Sequence, residues 1–290
     1  MKLRLNNHSV EITHPEKVLF PKSGITKQEI VDYYLTIAPH MLPYMKNRPL
    51  TMLRFPNGIN HEGFFQKDAS DFFPSWITRC PVKKKDGGIT HYVVCDNQAT
   101  LIYLANLACL TPHLWLSTVN NLTRPDRMIF DLDPSTKDFS LVVEVALRIK
   151  KILEHLKLHS FVTTTGSRGL HVVVPIKETL PYNKVRAFAA HIGHILINDD
   201  PKNITMDIRK EKRDKKVFID TLRNGFGATA VAPYAVRAHE DAPVATPLYW
   251  EELSNKKLRS TTYTIKNVFD KLKRDGNPWK NFSSSQASLN

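Results

Sequence analysis

Between Arg127 and Asp220 the chain alternates segments whose periodicity declares their type, and their order leaves few folds open. "RMIFDLD" is an apolar run closing on carboxylates and reads as a strand. "SLVVEVALRIKKILEHLKL" brings Leu141, Val145, Ile149, Ile152 and Leu156 round at helical spacing. "SFVTTTG" and "GLHVVVPI" read as strands on either side of a glycine turn, "NKVRAFAAHIGHILI" as a second helix and "KVFIDTL" as another strand. The order β-α-β-β-α-β predicts the split βαβ arrangement, a four-stranded antiparallel sheet covered by two helices.

The preceding hundred or so residues add an α/β lobe. "TKQEIVDYYLTIAPHML" begins with a capping box, Thr26 with Glu29, followed by Ile30, Tyr33, Tyr34 and Ile37 on one helical face. "PLTMLRFPNG" reads as a strand closed by a turn, and "QATLIYLANLACL" as a buried helix. The expected class is therefore α/β of the α+β kind, one domain over 1–282. Its N-terminal lobe is expected over about 1–120, a catalytic core over about 121–245 and a helical segment over about 246–282, with 283–290 a disordered tail.

With 290 residues, 42% of them hydrophobic, the chain can bury a large core, which excludes a disordered protein. Forty-one Lys and Arg against 28 Asp and Glu give a net charge of +13, pointing to a polyanionic partner. No run approaches the roughly 20 apolar residues of a membrane span, and the N-terminus lacks a signal-peptide core, so a cytoplasmic protein is expected. Cys80, Cys95 and Cys109 lack CxxC spacing and read as buried or partly exposed free thiols.

On a strand, Asp131 and Asp133 project to the same face, and two carboxylates so placed call for a hard divalent cation between them. "FDLDPST" alone is equally a strand-capping turn, and it also resembles the nucleophile loop of haloacid-dehalogenase-type phosphatases, with "NDDPKN" at Asp199 and Asp200 as a weak acidic pair. Asp220 ends another strand of the same sheet, and "TTTGSRGLHVVVP" gathers Thr165, Ser167, Arg168 and His171 round a glycine turn. Three carboxylates beside such a loop suit two divalent ions and a triphosphate.

"THPEKVLFPKSGITKQEI", "RPLTMLRFPNG", "FFQKDAS", "FDLDPS", "TTGSRGLHVVVPI", "KVFIDTLRN" and "TAVAPYAVRA", in this order from about Thr13 to Trp279, resemble the polymerase domain of bacterial ligase D, a member of the archaeo-eukaryotic primase superfamily. The resemblance implies a DNA-end polymerase of non-homologous end joining, a nucleotidyltransferase tolerant of ribonucleotides. Asp131, Asp133 and Asp220 would be its metal triad, binding two ions, Mn²⁺ or Mg²⁺. Thr165, Ser167, Arg168, His171, Arg213, Arg223 and Arg237 would meet the NTP or dNTP.

It further implies that His14, Lys17 and Lys27 bind the 5′-phosphate of a gapped or broken DNA, and that Arg54, Phe64 and Phe65 meet the template. A Ku-like end-binding protein and a DNA ligase are the implied partners, and a nucleoid-associated location follows. His14 stands where some relatives place asparagine, and Arg168 where lysine is common; both keep a donor. With neither a ligase lysine motif nor a phosphoesterase module, the chain is either a stand-alone polymerase or one domain of a longer protein. A primase starting chains de novo, the phosphatase, and a non-catalytic DNA-end-binding module are the alternatives.

Four features take plainer readings. His191 and His194 lack a third ligand and read as ordinary helix residues, and "RKEKRDKK" from Arg209 to Lys216 as a solvated hairpin tip as open to phosphate contact as not. "VKKKDGG" reads as an exposed loop, and Phe72 and Phe73 as core.

Overall fold

The computed structural model describes residues 1–5, 7–84, 86–136 and 138–289. It divides into two compact units: one comprises 1–115, 229–244 and 264–269, the other 116–228, 245–263 and 270–290. The chain thus leaves the first unit after Trp115 and re-enters it at Thr229, which no contiguous lobe boundary anticipates.

The second unit is built on the β-α-β-β-α-β series. Its strands are Arg127–Pro134, Phe161–Thr164, Leu170–Pro175 and Val217–Asp220, and its helices Phe139–His155 and Tyr182–Asp199. Arg127–Pro134 lies at the centre, antiparallel to Leu170–Pro175 on one side and to Val217–Asp220 on the other. Two short edge strands, Ile204–Thr205 and Pro247–Leu248, extend the expected four strands to six.

Alternation along the central strand sends Met128, Phe130 and Leu132 into a core shared with Val142, Val145 and Ile149 of the first helix and Val185, Ala189 and Ile192 of the second. Burial of this apolar face stabilises the unit at about 25 cal/mol per Å² removed from water. Ile129, Asp131 and Asp133 belong to the opposite face.

In the first unit the strand Pro49–Arg54 pairs with Cys109–Trp115, Ile89–Val94 and Phe64–Gln66. The helix Lys27–Met45 starts with the expected capping box: Thr26 Oγ1 accepts from Glu29 N–H while Glu29 accepts from Thr26 N–H. A second helix, Gln98–Asn106, is capped by Asn97.

Three expectations give way. Phe73 is core at 3% exposure, but Phe72 is 65% exposed, because the bend around Ser70 to Phe73 turns consecutive rings to opposite sides. The basic run is no hairpin tip, since Ile204–Thr205 and Val217–Asp220 run parallel and it is their crossover, with a 3₁₀ turn at Lys210–Lys212. The serine-rich tail is held: Ala287 bridges Ile176 and Leu289 is buried against the core, so its apolar residues override its polar composition. In "VKKKDGG", Lys85 lies outside the described residues; Lys83, Lys84 and Asp86 to Gly88 are exposed.

Candidate active site

The strand register decides which side chains share the open face of the second unit. Asp131 is the cross-strand partner of His171 on one neighbour and of Asp220 on the other, so the three form one row across three strands. Asp133 follows on the same face, opposite Phe218.

Polar contacts knit the row together. His171 Nε2 lies 3.3 Å from Asp131 Oδ1, while Arg223 Nε lies 3.2 Å from Asp131 Oδ2 and 3.4 Å from Asp220 Oδ2. Arg168 Nη2 is 3.8 Å from Asp133 Oδ1. Burial by itself would push Asp131 up, but the His171 imidazole and the Arg223 guanidinium outweigh it and hold the carboxyl down to about 2.

Asp133 goes the other way: burial and then the Asp131 charge raise it against the pull of Arg168. Burial also raises Asp220, with Arg223 opposing and Asp131 assisting. Three carboxylates against the two guanidinium charges of Arg223 and Arg168 leave a surplus of negative charge in the cluster. Oxygen donors with that surplus suit a hard divalent cation at Asp131, Asp133 and Asp220. Among the described residues no three His, Cys, Asp or Glu side chains already meet as a closed ligand set, and Arg223 and His171 engage the two oxygens of Asp131.

The glycine turn beside the row is fixed from within. Thr165 is buried, and its Oγ1 accepts from the N–H groups of Ser167 and Gly169 at 3.3 and 3.2 Å. Gly166 takes a φ of +64°, open to glycine at little cost. A Cβ on Gly169 would stand 1.7 Å from Leu132 O, so only glycine lets the turn close on the backbone between Asp131 and Asp133. Ser167 and Arg168 are the turn's more exposed members.

Arg213 reaches the same face by stacking 3.6 Å from the centre of the Phe218 ring, its guanidinium donating to the carbonyls of Asp207 and Ile208 at 3.0 and 2.8 Å. Arg237 belongs to the first unit, where its N–H donates to Pro243 O at 2.8 Å.

The first unit gathers its own basic group. Lys27 opens the helix Lys27–Met45, its Nζ donating to Thr13 O at 2.7 Å, and its N–H donates to Lys17 O at 2.8 Å. Burial, then the neighbouring Lys17 charge, lower its pKa. Lys17 Nζ is 3.4 Å from Asn57 Oδ1, and His14, at φ +48°, faces Glu16 at 3.8 Å. Elsewhere in the unit Arg54 donates to Leu107 O at 2.9 Å and Gln66 Oε1 at 2.6 Å beneath the Phe64 ring, leaving Phe64 and Phe65 46% and 60% exposed.

Comparison with known proteins decides the family. Residues 26–279 match the family described as LigD, primase-polymerase domain. The chain belongs to that family. It is 34% identical over 270 residues to the multifunctional non-homologous end joining protein LigD of Mycolicibacterium smegmatis, covering 92% of this chain and 35% of that one. To the bifunctional protein LigD of Bacillus subtilis it is 31% identical over 275 residues, 94% of this chain and 44% of the relative. The chain therefore spans less than half the length of these curated relatives.

A solved structure, the polymerase domain from Mycobacterium tuberculosis Ligase D in complex with DNA, superposes with a TM-score of 0.89 at 30% identity, covering 96% of this chain and 99% of that one. As a LigD primase-polymerase domain the chain is a polymerase of the nucleotidyltransferase type.

Two residues that hold this primase-polymerase site together escape sequence reading. Asn224, fully buried, pairs through its amide with both N–H and C=O of Ile129 at 2.8 and 2.7 Å, hooking the turn that carries Arg223 onto the central strand. The "RNG" turn is its only local signal. Ser260, 91 residues downstream of Gly169, donates to Gly169 O at 2.8 Å and lies 3.1 Å from Thr165 Oγ1; nothing in its neighbourhood marks it. Asp199 and Asp200, the weak phosphatase pair, are tied up by Arg148. His191 and His194 sit on the outer helix, and the three cysteines are buried free thiols.

Proposed function

We propose that the domain extends DNA 3′ ends at gaps and double-strand breaks by nucleotidyl transfer, with Asp131, Asp133 and Asp220 holding divalent metal, Mn²⁺ or Mg²⁺. The observation that carries this reading is the carboxylate row beside the glycine turn on one sheet face. The metal, when bound, supplies positive charge at the reacting phosphate. The 3′-hydroxyl oxygen attacks the α-phosphorus of the incoming nucleotide, the bond to pyrophosphate breaks, and the hydroxyl proton passes to solvent.

The chain's own groups bind and orient. Arg168 and Arg223, 63% and 45% exposed, are free to swing from carboxylate to triphosphate, and His171 fixes Asp131 from the opposite side. Ser167 and the turn's N–H groups add neutral donors, and Arg213 a stacked guanidinium. Thr165 contributes by pinning the turn.

Lys17 and Lys27, with His14, stand at a helix N-terminus, where dipole and ammonium charge together favour a 5′-phosphate. Phe64 and Phe65 offer exposed rings for a template base, with Arg54 beneath. Since the relatives are named for non-homologous end joining, the domain's setting is break repair at the nucleoid, with ribonucleotides accepted, a Ku-like end-binding protein upstream and a ligase to seal the product. Among the described residues no helix is long and apolar enough to cross a membrane.

The test is incorporation of labelled nucleotide into a gapped duplex bearing a 5′-phosphate, with Mn²⁺ or with chelator. Wild type should extend the primer only with metal, and Asp220→Ala should lose at least about 100-fold in rate. Extension in chelator, or an active Asp220→Ala enzyme, would overturn the proposal.

A further inference from the structure

The helical side of the second unit carries a feature the polymerase reaction does not use. Helices Phe139–His155 and Tyr182–Asp199 lie together, fastened at one end by Arg148, whose guanidinium grips Asp199 and Asp200. Elsewhere between them runs a groove of about 580 Å³. Ile192 forms its buried floor, Ile152 and Phe188 line it half-buried, and Leu156 and Ile195 stand at its edges 46% and 43% exposed. Branched aliphatics left open around a concavity mark an interaction site more often than a packing defect.

The groove's polar lining is one-sided. Lys151, His155 and His191 line it, with no carboxylate among the described lining residues. From Phe188 to Ile195 it follows the helix for about 10 Å, the length in which a docked helix places anchors at i, i+3 or i+4, and i+7.

We propose that this groove receives an amphipathic helix of a partner protein, its apolar face seated on Ile152, Phe188 and Ile195 and its flanking carboxylates against Lys151 and the histidines. The basic edge selects an acidic partner. A second copy of this chain is the poorer occupant, because a net charge of +13 sets two such molecules against each other. A lipid surface suits protruding apolar groups, whereas this site is concave.

The probe is a labelled peptide of about 18 residues, roughly five helical turns, with leucines on one face and glutamates elsewhere. Anisotropy is read at near-physiological salt with saturating duplex DNA present, so that DNA-binding surfaces are covered. Wild type should bind, and Ile195→Glu and Leu156→Glu should each weaken binding at least about tenfold. The same peptide with lysine for glutamate should bind at least about tenfold more weakly. Both variants should keep wild-type nucleotide incorporation, which reports intact folding, since neither residue belongs to the polymerase machinery.

Undiminished binding by the variants, or equal binding of the lysine peptide, would overturn the proposal. So would a wild-type dimer that Ile195→Glu dissolves, which assigns the groove to a second copy. Anionic phosphatidylglycerol vesicles bound in place of the peptide, and released by Ile195→Glu, would assign it to a lipid surface.

Discussion

Asp131 and Asp133 stand two residues apart, yet their surroundings drive them in opposite directions. Asp131 is held to about 2 because His171 and Arg223 outweigh its burial, whereas burial and the Asp131 charge raise Asp133, and burial raises Asp220. A folded pKa below the unfolded value adds stability above the ordinary carboxylate range, lost as pH falls toward 2. A raised folded pKa adds stability at low pH, lost as pH climbs through the raised value. At neutral pH in chelator, Asp131→Asn should therefore lower the melting temperature, by several degrees for about 1–3 kcal/mol of lost charge-assisted bonding. Asp133→Asn and Asp220→Asn should leave it unchanged or raise it. Adding Mn²⁺ should stabilise wild type and leave the three variants behind, and thermal melts with and without metal separate the cases. A drop for all three in chelator would contradict these assignments. The two aspartates of "FDLDPS" were legible as a shared face, because strand alternation is local; their opposite electrostatics were not, because His171 and Arg223 come from 40 and 92 residues downstream.

At the scale of elements, the site depends on how closely the glycine turn and the Arg223 turn lie against the central strand. Gly169→Ala places a methyl carbon into Leu132 O, so the turn or the strand must move at the point between the two aspartates. Nucleotide incorporation should fall by at least about 100-fold while helical circular dichroism stays near wild type, because misplacement by about 1 Å already costs that much. Asn224→Ala leaves the N–H and C=O of Ile129 unpaired in the interior and should destabilise by about 3 kcal/mol, read by urea denaturation. The six elements of the β-α-β-β-α-β series were legible because each is long enough to display its period. The edge strands Ile204–Thr205 and Pro247–Leu248 were not, since two residues carry no period and pair only because the fold brings them alongside. Phe72 and the tail were misjudged for a related reason: composition and adjacency do not reveal which way a bend turns a ring, or that Ala287 finds Ile176.

For the whole molecule, the tasks proposed for the lysine pair and the carboxylate row are separable, because the pair lies in one unit and the row in the other. Charge carries the first task. Lys17 is half-buried and its Nζ donates to Asn57 Oδ1, so Lys17→Ala removes a cation with little effect on folding, whereas Lys27 is buried at the helix start and its removal would also disturb Thr13. If this pair receives the 5′-phosphate, wild type should bind a phosphorylated gap more tightly than an unphosphorylated one, with the preference shrinking as salt rises. Lys17→Ala should abolish most of that preference and reduce the slope of log K against log salt by about 1. The same variant should extend a primer that lacks any downstream strand at the wild-type rate, since no phosphate is offered there and the carboxylate row is intact. Parallel binding and extension assays across a salt series distinguish this from general weakening: equal loss on phosphorylated and unphosphorylated DNA would make Lys17 a nonspecific backbone contact, and lost extension without a downstream strand would tie it to the chemistry.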